Sequence, residues 1–193
     1  LGWLANVAAN ALISGEPTPR LGNAHPNVAP YEPFQASDGW LLLAAGNDGM
    51  WQRMLATEHF APLAAHEGWA TNNGRVLDRQ ALADALAPII KTRPRDEWIA
   101  ILKAIRVPAG PILRPDEALA HPLTDALSML VTMNHPVAGS FQGVGSPYRF
   151  SETPVERYDA APTLGADTDS VLGDVLGLSA TELATLRDSG AIR

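Results

Sequence analysis

The sequence predicts a mixed α and β fold with a small α+β unit near its centre. Two short apolar runs, 31–36 and 40–45, flank Asp38-Gly39, and Asp-Gly supplies the positive φ angles of a tight hairpin turn. Apolar residues recur at helical spacing in several later stretches. With 193 residues, 46% of them hydrophobic and 18% charged, the chain is long enough to bury a core.

Composition excludes several classes of protein. Lysine and arginine total 14 against 21 aspartates and glutamates, a net charge of −7, so no general attraction to nucleic acid or anionic lipid is expected. The absence of cysteine rules out disulfides and thiolate chemistry and fits a cytoplasmic protein. The longest apolar run, 40–45, is far below the ~20 residues of a membrane helix. We therefore expect a soluble cytoplasmic protein that binds neither nucleic acid nor membrane.

The chain is predicted to open with a helix and an irregular loop. Apolar residues recur at helical spacing from Leu1, and the helix is expected to stop by Gly15 because prolines follow. The stretch 20–30 mixes Gly, Asn, His and Pro without periodicity, which indicates irregular backbone. The β-hairpin follows, and after it Asn47 or Asp48 can cap a helix over 50–56.

Three further helices are predicted, over 75–90, 94–105 and 115–120, the last two with proline at their first position. Residues 108–112 are expected to be a short extended link. The small α+β unit would then run from about residue 31 to 121.

The remainder is predicted to be loop-rich with short strands over 127–132 and 141–144. Asp167 can cap a helix that runs through residue 176. Ser179 and Glu182 form a capping box that opens a last helix, which Gly190 ends.

Histidines are the first candidates for chemistry. No pair of them has a helical metal-ligand spacing, so no metal site is expected. His25 differs from the others because it lies inside a Gly/Asn/Pro loop, where polar groups can face a ligand. The others are expected to be surface or capping residues: His59, His66, His121 and His135.

Six segments in order carry a more specific pattern than any single motif. They are RLGNAHPNVAPYEPFQASDGWLLLAAGNDGMWQRML, ATNNGRV, VPAGPIL, HPLTDALSML, GSPYRFSETP and LGADTDSVLGDVLGLSATELATLRDSG. In this order and spacing they resemble the class III CoA-transferases, the family that includes formyl-CoA transferase, carnitine CoA-transferase and alpha-methylacyl-CoA racemase. The resemblance covers the whole chain.

The resemblance implies a two-domain subunit. Its Rossmann-like large domain is built from the N-terminal half and the last segment, with a small α+β domain between them. Residues 1–30 would be a linker helix and a loop bordering the active site, 31–121 the small domain, and 122–193 the return segment and C-terminal helices of the large domain. Because the chain begins at Leu1 and not Met, we expect the C-terminal half of a family member, partnered by its N-terminal half in an interlocked homodimer.

The resemblance also implies a reaction on a coenzyme A thioester, which is a substrate and not a covalently bound cofactor. Family transferases use an aspartate that attacks an acyl-CoA and gives a mixed anhydride, then an aspartyl-CoA thioester, before the acceptor carboxylic acid collects CoA. That aspartate is expected upstream of Leu1, so no catalytic residue is expected in this chain, which alone would be inactive. Two alternatives stay open: an alpha-methylacyl-CoA racemase, and a non-catalytic dimerisation or partner module that lacks the nucleophile.

Two segments are expected to border the substrate. The first matches the family loop that covers the acyl group and is glycine-rich in formyl-CoA transferase; here fewer glycines favour a fixed polar contact over large swings. The second lies near the glutamate that supports the catalytic base in family racemases, and its different residue types favour transfer over racemisation. The candidate residues are Gly22, Asn23, His25, Pro26 and Asn27 in the first segment, and Asn47 and Asp48 in the second.

Overall fold

In a computed structural model that describes residues 2–193, the chain forms two compact units, one ending at Leu113 and the other spanning Arg114–Arg193. Both combine helices with a small antiparallel sheet, so the mixed α/β character is confirmed. The Rossmann-like large domain and the domain limits implied by the resemblance stay predictions. Within residues 2–193, no helix has both the length and the apolarity needed to cross a bilayer.

The first unit contains a three-stranded sheet covered by helices. In chain order its elements are a 3₁₀ turn (Gly2–Leu4), α1 (Ala5–Ser14), β1 (Tyr31–Gln35), β2 (Trp40–Ala44), α2 (Asp48–Leu55), 3₁₀ turns Ala61–Ala65 and Glu67–Trp69, α3 (Asn72–Leu77), α4 (Arg79–Ile90), α5 (Arg95–Ala104) and β3 (Ala109–Ile112). The predicted opening helix therefore begins at Ala5, and Leu1 lies outside the described residues. As predicted, it ends at Gly15, whose φ of 72° closes the helix.

The predicted β-hairpin is confirmed, but the positive φ angles expected of Asp38-Gly39 are wrong: neither residue is left-handed, and the four residues 36–39 join the strands. Gln35 pairs with Trp40, and the Ala36 N–H donates to the Gly39 carbonyl at 2.8 Å across the turn. The predicted link over 108–112 is in fact the third strand, because β3 pairs antiparallel with β2 and gives the order β1-β2-β3.

The core lies between this sheet and three helices. Leu41 and Leu43 are fully buried on β2, two residues apart as one face of a strand requires. The helices contribute buried residues at spacings of three and four, which place them on one face. These are Trp51 and Met54 of α2, Leu82, Leu86 and Ile90 of α4, and Trp98 and Leu102 of α5.

The single helix predicted over 75–90 is wrong: the chain leaves helical geometry at Asp78, which separates α3 from α4. Asp78 accepts a hydrogen bond from the indole N–H of buried Trp69 at 2.8 Å, a tertiary contact that helical periodicity does not reveal. Pro94 likewise is the N-cap of α5 and not its first helical residue, whereas Pro115 does open its helix as predicted.

The second unit holds a β-hairpin and short helices. Its elements are α6 (Pro115–Leu119), α7 (Pro122–Ala126), β4 (Leu130–His135), β5 (Gly139–Val144), α8 (Thr168–Ser170) with a π-helical turn (Val171–Val175), and α9 (Ala180–Asp188). The strand predicted over 127–132 therefore begins three residues later than predicted, at Leu130. Helix α7 was not predicted; it opens with Pro122 and is capped by the His121 imidazole.

The helix predicted over 167–176 is wrong in type, because one α-helical turn passes directly into the π-helical turn. Asp167 makes no side-chain cap there. The capping box between Ser179 and Glu182 is confirmed at the start of α9, and Gly190, with φ of 75°, follows its end.

Candidate functional site

The loop over residues 20–30 has a defined backbone path between α1 and β1. Gly22 takes a left-handed conformation, with φ of 61°, inside a turn closed by the Ala24 N–H and the Leu21 carbonyl at 3.0 Å. The His25 N–H then donates to the Tyr31 carbonyl at 2.9 Å, which ties the loop to the start of the sheet. Gly22 and its neighbour Asn23 are exposed.

Arg79, at the start of α4, binds the backbone of this loop through its guanidinium. One guanidinium nitrogen, Nη1, donates to the His25 carbonyl and the other, Nη2, to the Pro26 carbonyl, both at 2.8 Å. Asn72 of α3 adds a second grip: its Nδ2 donates to the Asn27 carbonyl at 2.8 Å, and its Oδ1 accepts from the Ala29 N–H at 3.2 Å. The loop is thus fastened to helices more than 40 residues further along the chain.

Arg75 joins the two predicted substrate-bordering segments. Its guanidinium is fully buried and donates to the Ala29 carbonyl at 2.7 Å, the Trp69 carbonyl at 2.9 Å and Asp48 Oδ1 at 2.9 Å. It also lies over the Trp51 ring, 5.4 Å from the ring centroid. The loop and the start of α2 therefore meet at one arginine.

Asn47 and Asp48 have different structural roles at the start of α2. Asn47 is the N-cap, since its Oδ1 accepts from the Met50 N–H at 2.9 Å. Asp48 occupies the first helical turn, where a negative charge is favourable, and its half-exposed carboxylate pairs with Arg75. The sequence left open which of the two caps the helix, and the structure selects Asn47.

The His25 ring is held on two sides and partly exposed. It stacks on Tyr31 with ring centroids 5.1 Å apart, and its Nδ1 accepts from the Asn27 N–H at 3.1 Å. A neutral imidazole that accepts at Nδ1 carries its proton on Nε2. Nε2 lies 3.4 Å from Asn6 Nδ2, an amide nitrogen that can only donate, so an Nε2–H makes no hydrogen bond to that atom. With this tautomer, Nε2 is a hydrogen-bond donor at the edge of the loop.

Helix α1 contacts the same loop through two asparagines one turn apart. Asn10 and Asn27 exchange two amide hydrogen bonds, at 2.7 and 3.1 Å, and Asn6 lies beside His25. Residues four apart share a helix face, so α1 presents a polar edge to the loop.

Glu32 of β1 has a shifted pKa to which the loop-binding residue Arg79 contributes. Burial raises the pKa of its carboxyl above the ordinary glutamate value, and the positive charge of Arg79 opposes the rise. Arg79 therefore acts both on the loop backbone and on the charge of the adjacent strand.

The predicted substrate border comprised the loop, Asn47 and Asp48. It did not include the residues that hold these segments in place: Asn72, Arg75 and Arg79. Their partners are mostly backbone carbonyls distant in sequence, which leave no local pattern. The site therefore offers a fixed loop edge with imidazole and amide groups, linked through Arg75 to the Asp48 carboxylate, whose charge Arg75 compensates.

Residues 1–168 match the model of CoA-transferase family III, so the chain belongs to that family. It is 36% identical over 173 residues to a succinate–glutarate CoA-transferase of Agrobacterium fabrum, covering 89% of this chain and 43% of the relative. It is 32% identical to a formyl-CoA:oxalate CoA-transferase of Streptomyces coelicolor, covering 92% of this chain and 44% of the relative.

Solved structures agree with this assignment. A CAIB/BAIF family protein from Brucella suis superposes with a TM-score of 0.72 at 36% identity, covering 90% of this chain and 45% of that chain. The chain thus spans less than half the length of these relatives.

Proposed function

We propose that this chain is part of a CoA-transferase that moves CoA from an acyl-CoA donor to a free carboxylic acid. The observation that carries the proposal is membership of CoA-transferase family III, together with relatives named for transfer between succinate and glutarate and from formyl-CoA to oxalate. Glutarate and oxalate are both dicarboxylic acids. We therefore propose a small dicarboxylic acid as the acceptor.

The covalent chemistry is assigned to an aspartate outside this chain, in the N-terminal half of the subunit. Its carboxylate attacks the acyl-CoA carbonyl, expels CoA thiolate and gives a mixed anhydride. The thiolate then attacks the aspartyl carbonyl and releases the donor acid, leaving an aspartyl-CoA thioester. The acceptor carboxylate then attacks the aspartyl-CoA carbonyl, expels CoA thiolate and forms a second mixed anhydride. The thiolate attacks the acceptor carbonyl of that anhydride, which releases the acceptor acyl-CoA and restores the aspartate. The proposed working form is a cytoplasmic homodimer of complete subunits.

The role proposed for this chain is to border the acyl and acceptor groups. His25 offers an Nε2–H donor and Asn27 lies beside it, fixed by Asn10. An imidazole N–H and an amide N–H can each donate a hydrogen bond to a carboxylate oxygen. Asp48 is paired with Arg75, which reduces its repulsion of an anionic acceptor.

In family racemases a glutamate near the position of Asp48 supports the catalytic base. The Asp48 carboxylate in this chain accepts a hydrogen bond from buried Arg75 and lies in the first turn of α2. Because Asp48 is engaged in this way, we favour transfer over racemisation. The partner-module alternative differs in outcome, since such a protein would assemble without turning over any CoA thioester.

The test uses the protein at its natural full length, incubated with succinyl-CoA and either glutarate, oxalate or acetate. We expect a new acyl-CoA with a dicarboxylic acceptor, identified by mass spectrometry. Inversion of a 2-methylacyl-CoA without transfer would support the racemase instead. A folded protein that consumes no CoA thioester would support the partner module.

A histidine comparison tests the loop itself. His25→Ala should raise the acceptor KM by about fivefold, the equivalent of one neutral hydrogen bond of about 1 kcal/mol. His66→Ala is the matched control, because His66 also stacks on an aromatic ring, that of Trp69, with centroids 3.9 Å apart. Equal KM values in the two variants would remove the loop from the function.

A further inference from the structure

Two arginines on neighbouring helices hold the backbone of the loop over 20–30 by its carbonyl oxygens. Arg79 donates to the His25 and Pro26 carbonyls, and Arg75 donates to the Ala29 carbonyl. We call the contact of Arg79 with these two consecutive carbonyls the Arg79 clasp.

The Arg79 clasp is suited to fixing an orientation. A guanidinium is planar and presents its donors in a rigid fork, so two bonds from one arginine to consecutive carbonyls restrict two successive peptide units. These units join His25 to Pro26 and Pro26 to Asn27. Because the His25 ring is attached to the held backbone and rests on Tyr31, the clasp determines where Nε2 points.

We propose that Arg79 is a positioning residue that sets the affinity for the acceptor acid by fixing His25. The inference rests on the proposed function, in which His25 borders the acceptor. Arg79 acts through the loop backbone, since both of its described hydrogen bonds go to carbonyls. A displacement of about 1 Å in a substrate-positioning group is enough to change enzyme kinetics by up to 10²-fold.

The chain contains a matched control for this clasp. Arg53 of α2 donates to the consecutive carbonyls of Ile105 and Arg106, at 2.7 and 2.8 Å, through Nε and Nη2. Its acceptors lie at the end of α5 and not in the loop. A third bond, from Nη1 to the Gly49 carbonyl at 3.0 Å, stays within α2. Arg53→Gln therefore removes the same kind of contact without removing any hydrogen bond to the loop over 20–30.

The experiment compares Arg79→Gln, Arg79→Lys and Arg53→Gln in the full-length protein. We expect both Arg79 variants to raise the acceptor KM severalfold, up to the about fivefold effect of removing His25 itself. The donor KM should stay unchanged, and Arg53→Gln should change neither value. Lysine keeps the positive charge near Glu32 but lacks the fork, so full rescue by Arg79→Lys would overturn the inference.

The rate of amide hydrogen exchange over residues 21–29 tests the Arg79 clasp independently of catalytic activity. Exchange should be faster in Arg79→Gln than in the wild type and unchanged in Arg53→Gln. Unchanged exchange in Arg79→Gln overturns the inference. Wild-type protein that transfers no CoA overturns the proposed function, whereas an active protein with unaltered acceptor KM in Arg79→Gln overturns only this inference.

Discussion

Replacing the buried Arg75 with methionine should destabilise the first unit. Its guanidinium is 0% exposed and donates to the carbonyls of Ala29 and Trp69, two residues that are themselves only 1% and 3% exposed. Methionine fills similar space but donates nothing, so both carbonyls lose their arginine donor. Each buried acceptor left unsatisfied costs about 1–3 kcal/mol, or about 2–6 kcal/mol for the two.

Two further effects bring the expected loss to about 3 kcal/mol. Methionine removes the cost of burying a charge, which offsets part of the penalty. Asp48 loses its ion pair, but its side chain is 51% exposed and regains water, so it adds little.

Urea unfolding followed by tryptophan fluorescence measures this loss. All five tryptophans lie before residue 114, so the signal reports on the first unit alone. We expect a lower unfolding midpoint in Arg75→Met with an unchanged denaturant slope. Arg93→Met is the control, because the Arg93–Glu97 pair is partly exposed and surface pairs contribute about 0–1 kcal/mol. Equal stability of the two variants would show that the buried hydrogen bonds do not carry the stability assigned to them.

Two more predictions concern packing and pH. Gly74→Ala should lower the unfolding free energy by about 1–3 kcal/mol in the same assay, because an added Cβ would lie 1.8 Å from the Gly68 carbonyl oxygen. Gly68→Ala is the control, since a Cβ added at Gly68 would have nothing within 4 Å. Equal stability of the two variants would contradict the clash. Glu32 has a pKa raised by burial, so the folded state binds its proton more tightly and unfolding free energy should fall as pH rises from the ordinary glutamate pKa through the raised value. Glu32→Gln should remove that decline, and parallel pH profiles of the two proteins would refute the assignment.

Much of the secondary structure was predictable because it depends on residues close together in the chain. Two apolar runs with a short connection between them form the hairpin, Ser179 and Glu182 cap a helix three residues apart, and α1 ends at Gly15, where prolines follow. The prediction failed where a side-chain contact lies outside the periodic pattern of a helix. The helix expected over 75–90 breaks at Asp78, whose carboxylate serves the Trp69 indole.

The candidate site divides in the same way. The order of its motifs alone indicated the CoA-transferase family, later supported by the family match over residues 1–168. It also indicated the loop with His25 and Asn27 and the segment with Asn47 and Asp48 as the substrate border, an assignment that stays a prediction. Nothing local showed which of the last two residues caps α2, because both side chains are competent caps.

The sequence by itself therefore determined the presence of the hairpin, the end of α1 at Gly15, the capping box of α9, and the family. Only the tertiary structure decided that one buried arginine, Arg75, joins the loop to Asp48 and that Arg79 holds the loop by its carbonyls. The physical reason is the acceptor. A backbone carbonyl is the same at every residue, so a guanidinium that binds one 46 or 54 positions away leaves no mark in the sequence until the chain has folded.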